Sequence, residues 1–194
     1  MRTLWPAHFN RASRSHSHRD AVHHVQVGRR IAVEARRPLA SFWIAGVVVL
    51  LVDQLTKALI RAWLDPAVSF PLIDGVFHIT HVRNTGAAFG LMPGARPLFL
   101  ATSALVLLGI TAYWIVMRPR ARWLVTALAL VGSGATGNLI DRMTAGRVTD
   151  FLDFIVIGFP VFNVADIGIV VGVSMLVIWI LFGPEHLADT VSGS

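Results

Sequence analysis

The chain has 194 residues, 55% of them hydrophobic and 14% charged, with a mean hydropathy of +0.64. A soluble domain carries roughly 25% charged residues, so this composition excludes an ordinary globular enzyme and points to a single membrane-embedded domain. The absence of cysteine excludes disulfides, thiolate metal sites and a cysteine nucleophile, and the formal charge of +6 informs through its placement.

Residues 1–38 hold eight arginines and show no apolar period. They are expected to form a disordered basic tail near anionic lipid. Weak metal binding by His8, His16, His18, His23 and His24 is the lesser reading. The stretch "ARRPLASFW" faintly resembles a twin-arginine signal, but the apolar run continues into "DQLTK" with no evident cleavage site, so a retained helix is expected.

Four apolar segments approach the roughly 20 residues that span a bilayer. The first, 39–60, carries Asp53 and Lys57 in its last turns. Spaced i, i+4 in the favourable order, these two can pair. Residues 65–96 come next, too long for a plain loop between packed helices. "GVFHITHV" is β-branched and aromatic, and turn residues succeed it in "NTGAAFG", so a small β-structure on the membrane face is expected there. His78 and His81, spaced i, i+3 in this strand, make a poor metal pair.

The second segment, 97–117, begins with Pro97, which suits a helix start. The third, 123–140, contains "GSGATG", and the fourth, 161–182, contains "GIVVG". Both small-residue patterns let helix backbones approach in lipid. Residues 39–183 therefore read as one four-helix domain, and 184–194 as a C-terminal tail.

Orientation is set by the Lys/Arg bias. The N-terminal tail and the "RPRAR" link hold eleven arginines, whereas the other two connections hold five. Both termini are thus expected in the cytoplasm. Asp53, Asp141, Asp150, Asp153 and Asp166 then all fall near the outer face, with Asn84, Asn138 and Asn163.

An Asp at mid-bilayer costs about 2.5–3.5 kcal/mol on insertion scales, so several at one level suggest a site. Structural readings remain open for most of them. Asp141 can pair locally with Arg142 or end its helix. Asn138 and Asn163, each three residues before an Asp, can bridge helices. Asp166 can cap the fourth helix. Asp150, in the connection after Gly146, has the weakest structural excuse, and Asp153 reads as its solvated neighbour. There is no "GxSxG" and no HExxH pattern. The credible chemistry is a carboxyl pair sharing one proton: the ionised member takes a proton from water, and the protonated member donates to a peptide carbonyl.

The blocks "DQLTK" (53–57), "RNTGAAFG" (83–90), "GATGNLIDRMTAGRVTDFLDF" (134–154) and "FNVADIGI" (162–169) resemble, in this order, those of the lipoprotein signal peptidase (signal peptidase II) family of intramembrane aspartic proteases. The resemblance implies an all-α membrane protein of four transmembrane helices with a small extracytoplasmic β-cradle at about 65–96. It implies Asp150 and Asp166 as the catalytic dyad, supported by Asn138, Asn163, Asn84, Asp53, Lys57 and the pair Asp141 and Arg142. The implied reaction removes signal peptides from diacylglyceryl-modified prolipoproteins, cutting before the lipidated cysteine. It implies a bacterial cell-membrane protein with its active site at the outer face. No cofactor, no metal and no nucleic-acid partner is expected; membrane lipid surrounds the chain, and a monomer is expected. Because Asp166 lies at the start of the fourth helix, where the dipole favours an anion, Asp150 is expected to carry the shared proton. A transporter or ion relay using the same aspartates, and an assembly protein with an outer polar latch, are the competing readings.

Overall fold

The computed structural model describes residues 44–86, 92 and 94–192, with side chains described to residue 183. The expected basic tail with its five histidines, the start of the first apolar segment and residues 87–90 of "RNTGAAFG" lie outside the described residues.

The fold is mostly helical with one small antiparallel sheet. Helix α1 covers residues 44–63, three beyond the expected end. Strands β1 (Ser69–Ile73) and β2 (Phe77–Asn84) form the hairpin that the β-branched run predicts, with Ser69 opposite Thr80 and Ile73 opposite Phe77. Gly75, at φ 68, supplies the left-handed position its tight turn needs. Helix α2 (Arg96–Met117) starts on Pro97, and helix α3 (Arg122–Thr144) runs past residue 140, so Asp141 lies inside it.

The sequence does not foretell the third strand. Val148–Asp153 forms β3, which pairs antiparallel with β2 and completes the sheet in the order β1-β2-β3. Asp150 is therefore held by a ladder, opposite Val82. One 3-10 turn (Ile155–Ile157) comes next, and helix α4 covers Val164–Ser192 with non-helical backbone at Gly183. Residues 161–163, expected as helix, are extended instead: Phe151 and Leu152 donate from their N–H groups to the Phe162 carbonyl at 2.9 and 2.8 Å, and Phe162 N–H donates to Leu152 at 3.0 Å. This tie brings the start of α4 alongside Asp150.

Among the described residues, three helices are long and apolar enough to cross a membrane: Arg96–Met117, Arg122–Thr144 and Val164–Gly183. Their packing is uneven. α3 supplies most of the buried core, including Val125, Ala127, Ala129 and Ala135, whereas α2 buries no residue. α3 and α4 approach through small residues, as close association in lipid requires. A Cβ on Gly134 would collide with the Ala165 carbonyl oxygen, and one on Gly172 would sit 2.7 Å from the Ala127 carbonyl oxygen. Trp123 adds a cross-helix bond from Nε1 to the Met175 carbonyl at 2.8 Å.

Candidate active site

Each of the nine residues singled out by sequence belongs to one connected polar cluster or to the cavity it borders. The cluster is built from α1, β2, α3, β3 and the start of α4.

The base of the cluster is Lys57, fully buried on α1. Its ammonium has three donors. They reach Asp53 Oδ2 at 2.9 Å, Asp141 Oδ2 at 3.2 Å and Asn138 Oδ1 at 2.9 Å. Asp53 also receives Ala165 N–H at 2.9 Å on Oδ1, so a carboxylate of α1 caps the first turn of α4. Asp141 receives Thr149 N–H at 3.2 Å and lies 3.6 Å from Arg61 Nη1. Of the two structural readings of Asp141, a local pair with Arg142 or a helix-end group, the pair is not formed: its partners are Lys57 and Arg61. The helix turns Asp141 toward α1, while Arg142 borders the cavity.

Asn163 is the N-cap of α4, so it does not repeat the shared helix face of Asn138 and Asp141. Its Oδ1 accepts Asp166 N–H at 3.0 Å, and Asp166 Oδ2 accepts Asn163 N–H at 3.2 Å, a reciprocal capping box. A backbone N–H can only donate, which fixes the amide: Nδ2 must face Asp150 Oδ1, at 2.6 Å, and Asn138 Oδ1, at 3.2 Å. The same logic fixes Asn138. Lys57 can only donate, so Oδ1 faces Lys57 and Nδ2 faces Asp166 Oδ1 at 2.8 Å.

Asp150 is 2% exposed and receives a second donor, Asn84 Nδ2, on Oδ2 at 2.8 Å. Burial lifts its carboxyl from the ordinary value to about 6. The bonds from Asn84 and Asn163 and the charge of Lys57 oppose that rise, and the neighbouring Asp166 adds to it.

Asp150 and Asp166 open onto a cavity of about 490 Å³, also bordered by Asn84, Asn138 and Arg142 and, on its apolar side, by Phe159, Phe162, Ile167 and Val170. One wall therefore carries paired carboxyls and amides, and the other continues down α4 as hydrocarbon. That arrangement can accept an apolar chain with a polar group at its end. No group of three or more His, Asp or Glu among the described residues could hold a metal ion.

Sequence reasoning missed two contributors. Arg61, four residues after Lys57 on the same face of α1, donates to Thr149 Oγ1 at 3.2 Å as well as facing Asp141. Gln54 donates to Asp53 Oδ2 at 3.0 Å and to the Gly137 carbonyl at 3.2 Å. Only the regular four-residue spacing of Asp53, Lys57 and Arg61 could have pointed to the first. Asp153 departs from its expected role. It is 8% exposed, not solvated, and accepts Thr80 Oγ1 at 2.6 Å, because β3 pairs it opposite His78.

A family model described as signal peptidase (SPase) II matches residues 45–182. A lipoprotein signal peptidase of Brevibacillus brevis is 43% identical over 137 residues, covering 71% of this chain and 92% of that protein. One from Halothermothrix orenii is 40% identical over 148 residues, covering 76% and 99%. A bacterial membrane enzyme solved by the in meso method superposes with a TM-score of 0.68 at 31% identity, covering 80% of this chain and 92% of that one. A second such structure gives 0.67 at 33% identity, covering 73% and 93%.

Proposed function

The chain belongs to the signal peptidase II family, a membrane protease family, and from that premise we propose that it is an intramembrane aspartic endopeptidase with Asp150 and Asp166 as its dyad. Its substrates are diacylglyceryl-modified prolipoproteins, cut just before the lipidated cysteine. The observation that carries this reading is Asn163, which donates to both carboxyls, to Asp150 through its side chain and to Asp166 through its backbone, at the mouth of a largely apolar cavity.

The mechanism rests on the unequal surroundings. Asp166 lies in the first turn of α4, where the helix dipole favours an anion, so Asp150 carries the shared proton. It donates this proton to the scissile carbonyl oxygen while Asp166 takes one from water, and the hydroxyl adds to the carbonyl carbon. The tetrahedral intermediate collapses as the amine leaves with a proton returned from Asp166, while a hydroxyl proton returns to Asp150 and restores the dyad. The products are a signal-peptide carboxylate and the free amine of the lipidated cysteine. Asn138, Asn163 and Asn84 hold the carboxyls in register, and the Asp53–Lys57–Asp141 cluster holds the asparagines. The lipid anchor of the substrate fixes the depth of the scissile bond, which raises its effective concentration at the dyad.

Helix 44–63 is the fourth membrane crossing in this reading. Both termini are cytoplasmic and the sheet faces outward, in keeping with the excess of arginine in the tail and in the α2–α3 link. The enzyme acts as a monomer.

The test is cleavage of a lipidated substrate peptide by the purified chain in detergent. Asp150→Asn and Asp166→Asn should each lower kcat by at least about 10³-fold, as loss of an essential acid or base does, while leaving folded protein. Undiminished processing by either variant contradicts the dyad. A chelator that stops the wild type, with zinc restoring it, contradicts the metal-free mechanism.

A further inference from the structure

The described ion pairs leave Arg142 out. Asp141, its neighbour in sequence, is taken by Lys57 and Arg61, and among the described residues no carboxylate lies within 4.0 Å of the Arg142 guanidinium. Its one hydrogen bond among those described, to the Gly86 carbonyl, is long at 3.4 Å. What lies against it is a ring: Arg142 Cζ sits 4.9 Å from the centroid of Phe99. Phe99 stands in the first turn of α2, a helix with no buried residue of its own. Beside it, Arg96 Nη2 donates to the Met143 carbonyl at 3.2 Å, so the start of α2 is fastened to the end of α3 at this place.

We propose that Phe99 is a positioning residue for catalysis: its ring holds the Arg142 guanidinium against α2 without using its N–H donors, which remain available to meet the substrate backbone in the cavity. This rests on the peptidase reading above.

The donor geometry of the guanidinium is the reason. It has five N–H donors in its plane and none on its faces. A carboxylate partner would use two of them and cancel the charge. An aromatic ring attracts the cation through its quadrupole at the face, so it fixes position while leaving both charge and donors available. Arg142 borders the same cavity as Asp150 and Asp166. A free cationic edge there is suited to a peptide carbonyl whose oxygen carries partial negative charge as water adds, before transfer of the Asp150 proton is complete. Phe99 thereby links the placement of α2 to the chemistry on α3, β3 and α4.

The test replaces Phe99 in the full chain with mono-, di- and trifluorophenylalanine, which drain the ring face while nearly preserving its shape. Cleavage of a lipidated peptide is then measured in detergent. The expected result is a stepwise fall in log(kcat/KM) with each fluorine, about tenfold in all, with an unchanged unfolding midpoint. The loss should fall more on kcat than on KM, because the carbonyl charge develops after binding. Phe99→Leu should lose about 3- to 30-fold. A flat fluorine series overturns the proposal, as does a leucine variant as fast as the wild type. A wild-type chain that fails to cut the lipidated peptide removes the peptidase reading itself, and the proposal with it.

Discussion

Lys57 donates to Asn138 Oδ1 at 2.9 Å, and this bond decides which way the Asn138 amide faces Asp166. A lysine on α1 therefore sets the donor that a carboxyl on α4 receives. The same ammonium lies between Asp53 and Asp141, both almost completely buried.

Lys57→Met leaves two buried carboxylates without their shared cation, with Arg61 near only one of them at 3.6 Å. Breaking a buried pair by removing one partner costs about 3–5 kcal/mol. The unfolding midpoint in detergent should fall accordingly, and cleavage should be lost even at temperatures where the variant stays folded, because Asn138 can then turn. Adding Asp53→Asn should recover part of the stability, since it removes one stranded charge and keeps an oxygen for Ala165 N–H. A double variant no more stable than Lys57→Met would show that charge is not the source of the loss.

Asp150 gives a pH dependence with a definite sign. Its carboxyl rises from 3.8 in the unfolded chain to about 6 in the fold. Between those values the native state binds the proton more tightly, so stability falls as pH rises through this window. The penalty is absent below about pH 4 and complete above about pH 6, at about 3 kcal/mol from the usual conversion. Asp150→Asn carries no such penalty. The stability difference between Asp150→Asn and the wild type should therefore grow from pH 4 to pH 6 in favour of the variant and then level off. Chemical denaturation in detergent at a series of pH values reads this directly, and a difference independent of pH would contradict the assignment.

Asn163 has two separable duties. Its Oδ1 caps α4 by accepting Asp166 N–H, and its Nδ2 reaches Asp150 at 2.6 Å. Asn163→Ser keeps a capping oxygen but loses the amide donor, whereas Asn163→Ala loses both. Capping residues contribute about 1 kcal/mol over alanine. The serine variant should thus be more stable than the alanine variant by about that amount, yet both should cleave lipidated peptide at least about 100-fold more slowly than the wild type, because losing an orienting partner displaces the reacting group. A serine variant with wild-type kcat would reduce Asn163 to a helix cap.

Much of this arrangement is legible in the chain itself because polar side chains in an apolar sequence need partners. Asp53, Lys57, Asn138 and Asp141 stand out against their helices, and their i, i+3 and i, i+4 spacings put them on common faces. The strand Val148–Asp153 is harder to read. Its Val148, Thr149 and Phe151 are ordinary strand formers, but β3 pairs with β2, more than sixty positions before it in the chain, and local pattern carries no information about that partner. Once it pairs, Asp153 is buried against Thr80 and Asp150 against Asn84. The three-residue delay in the start of α4 has a similar cause. Phe162 is drawn out of the helix by backbone bonds to β3, and Asn163 is left to cap the first turn of α4.

The packing of α3 on α4 supplies a comparison between two helix glycines in unlike surroundings. Gly134 faces the first turn of α4, and a methyl group there would collide with the Ala165 carbonyl oxygen and with Ile169. That obstacle includes backbone, which cannot swing aside as a flexible side chain does. Overpacking of this kind costs about 1–3 kcal/mol. Relief requires the first turn of α4 to move away from α3, and that turn carries Asp166. Gly134→Ala should therefore lose stability and, at permissive temperature, lose cleavage. Gly109, in α2, meets nothing within 4 Å. Gly109→Ala should leave cleavage unchanged and raise the unfolding midpoint slightly, since alanine is favoured over glycine in a helix by about 0.5–1 kcal/mol. Side-by-side unfolding and cleavage measurements on the two variants check both statements. A Gly134→Ala chain as stable and as active as Gly109→Ala would mean that the close approach of α3 to α4 does not hold Asp166 in place.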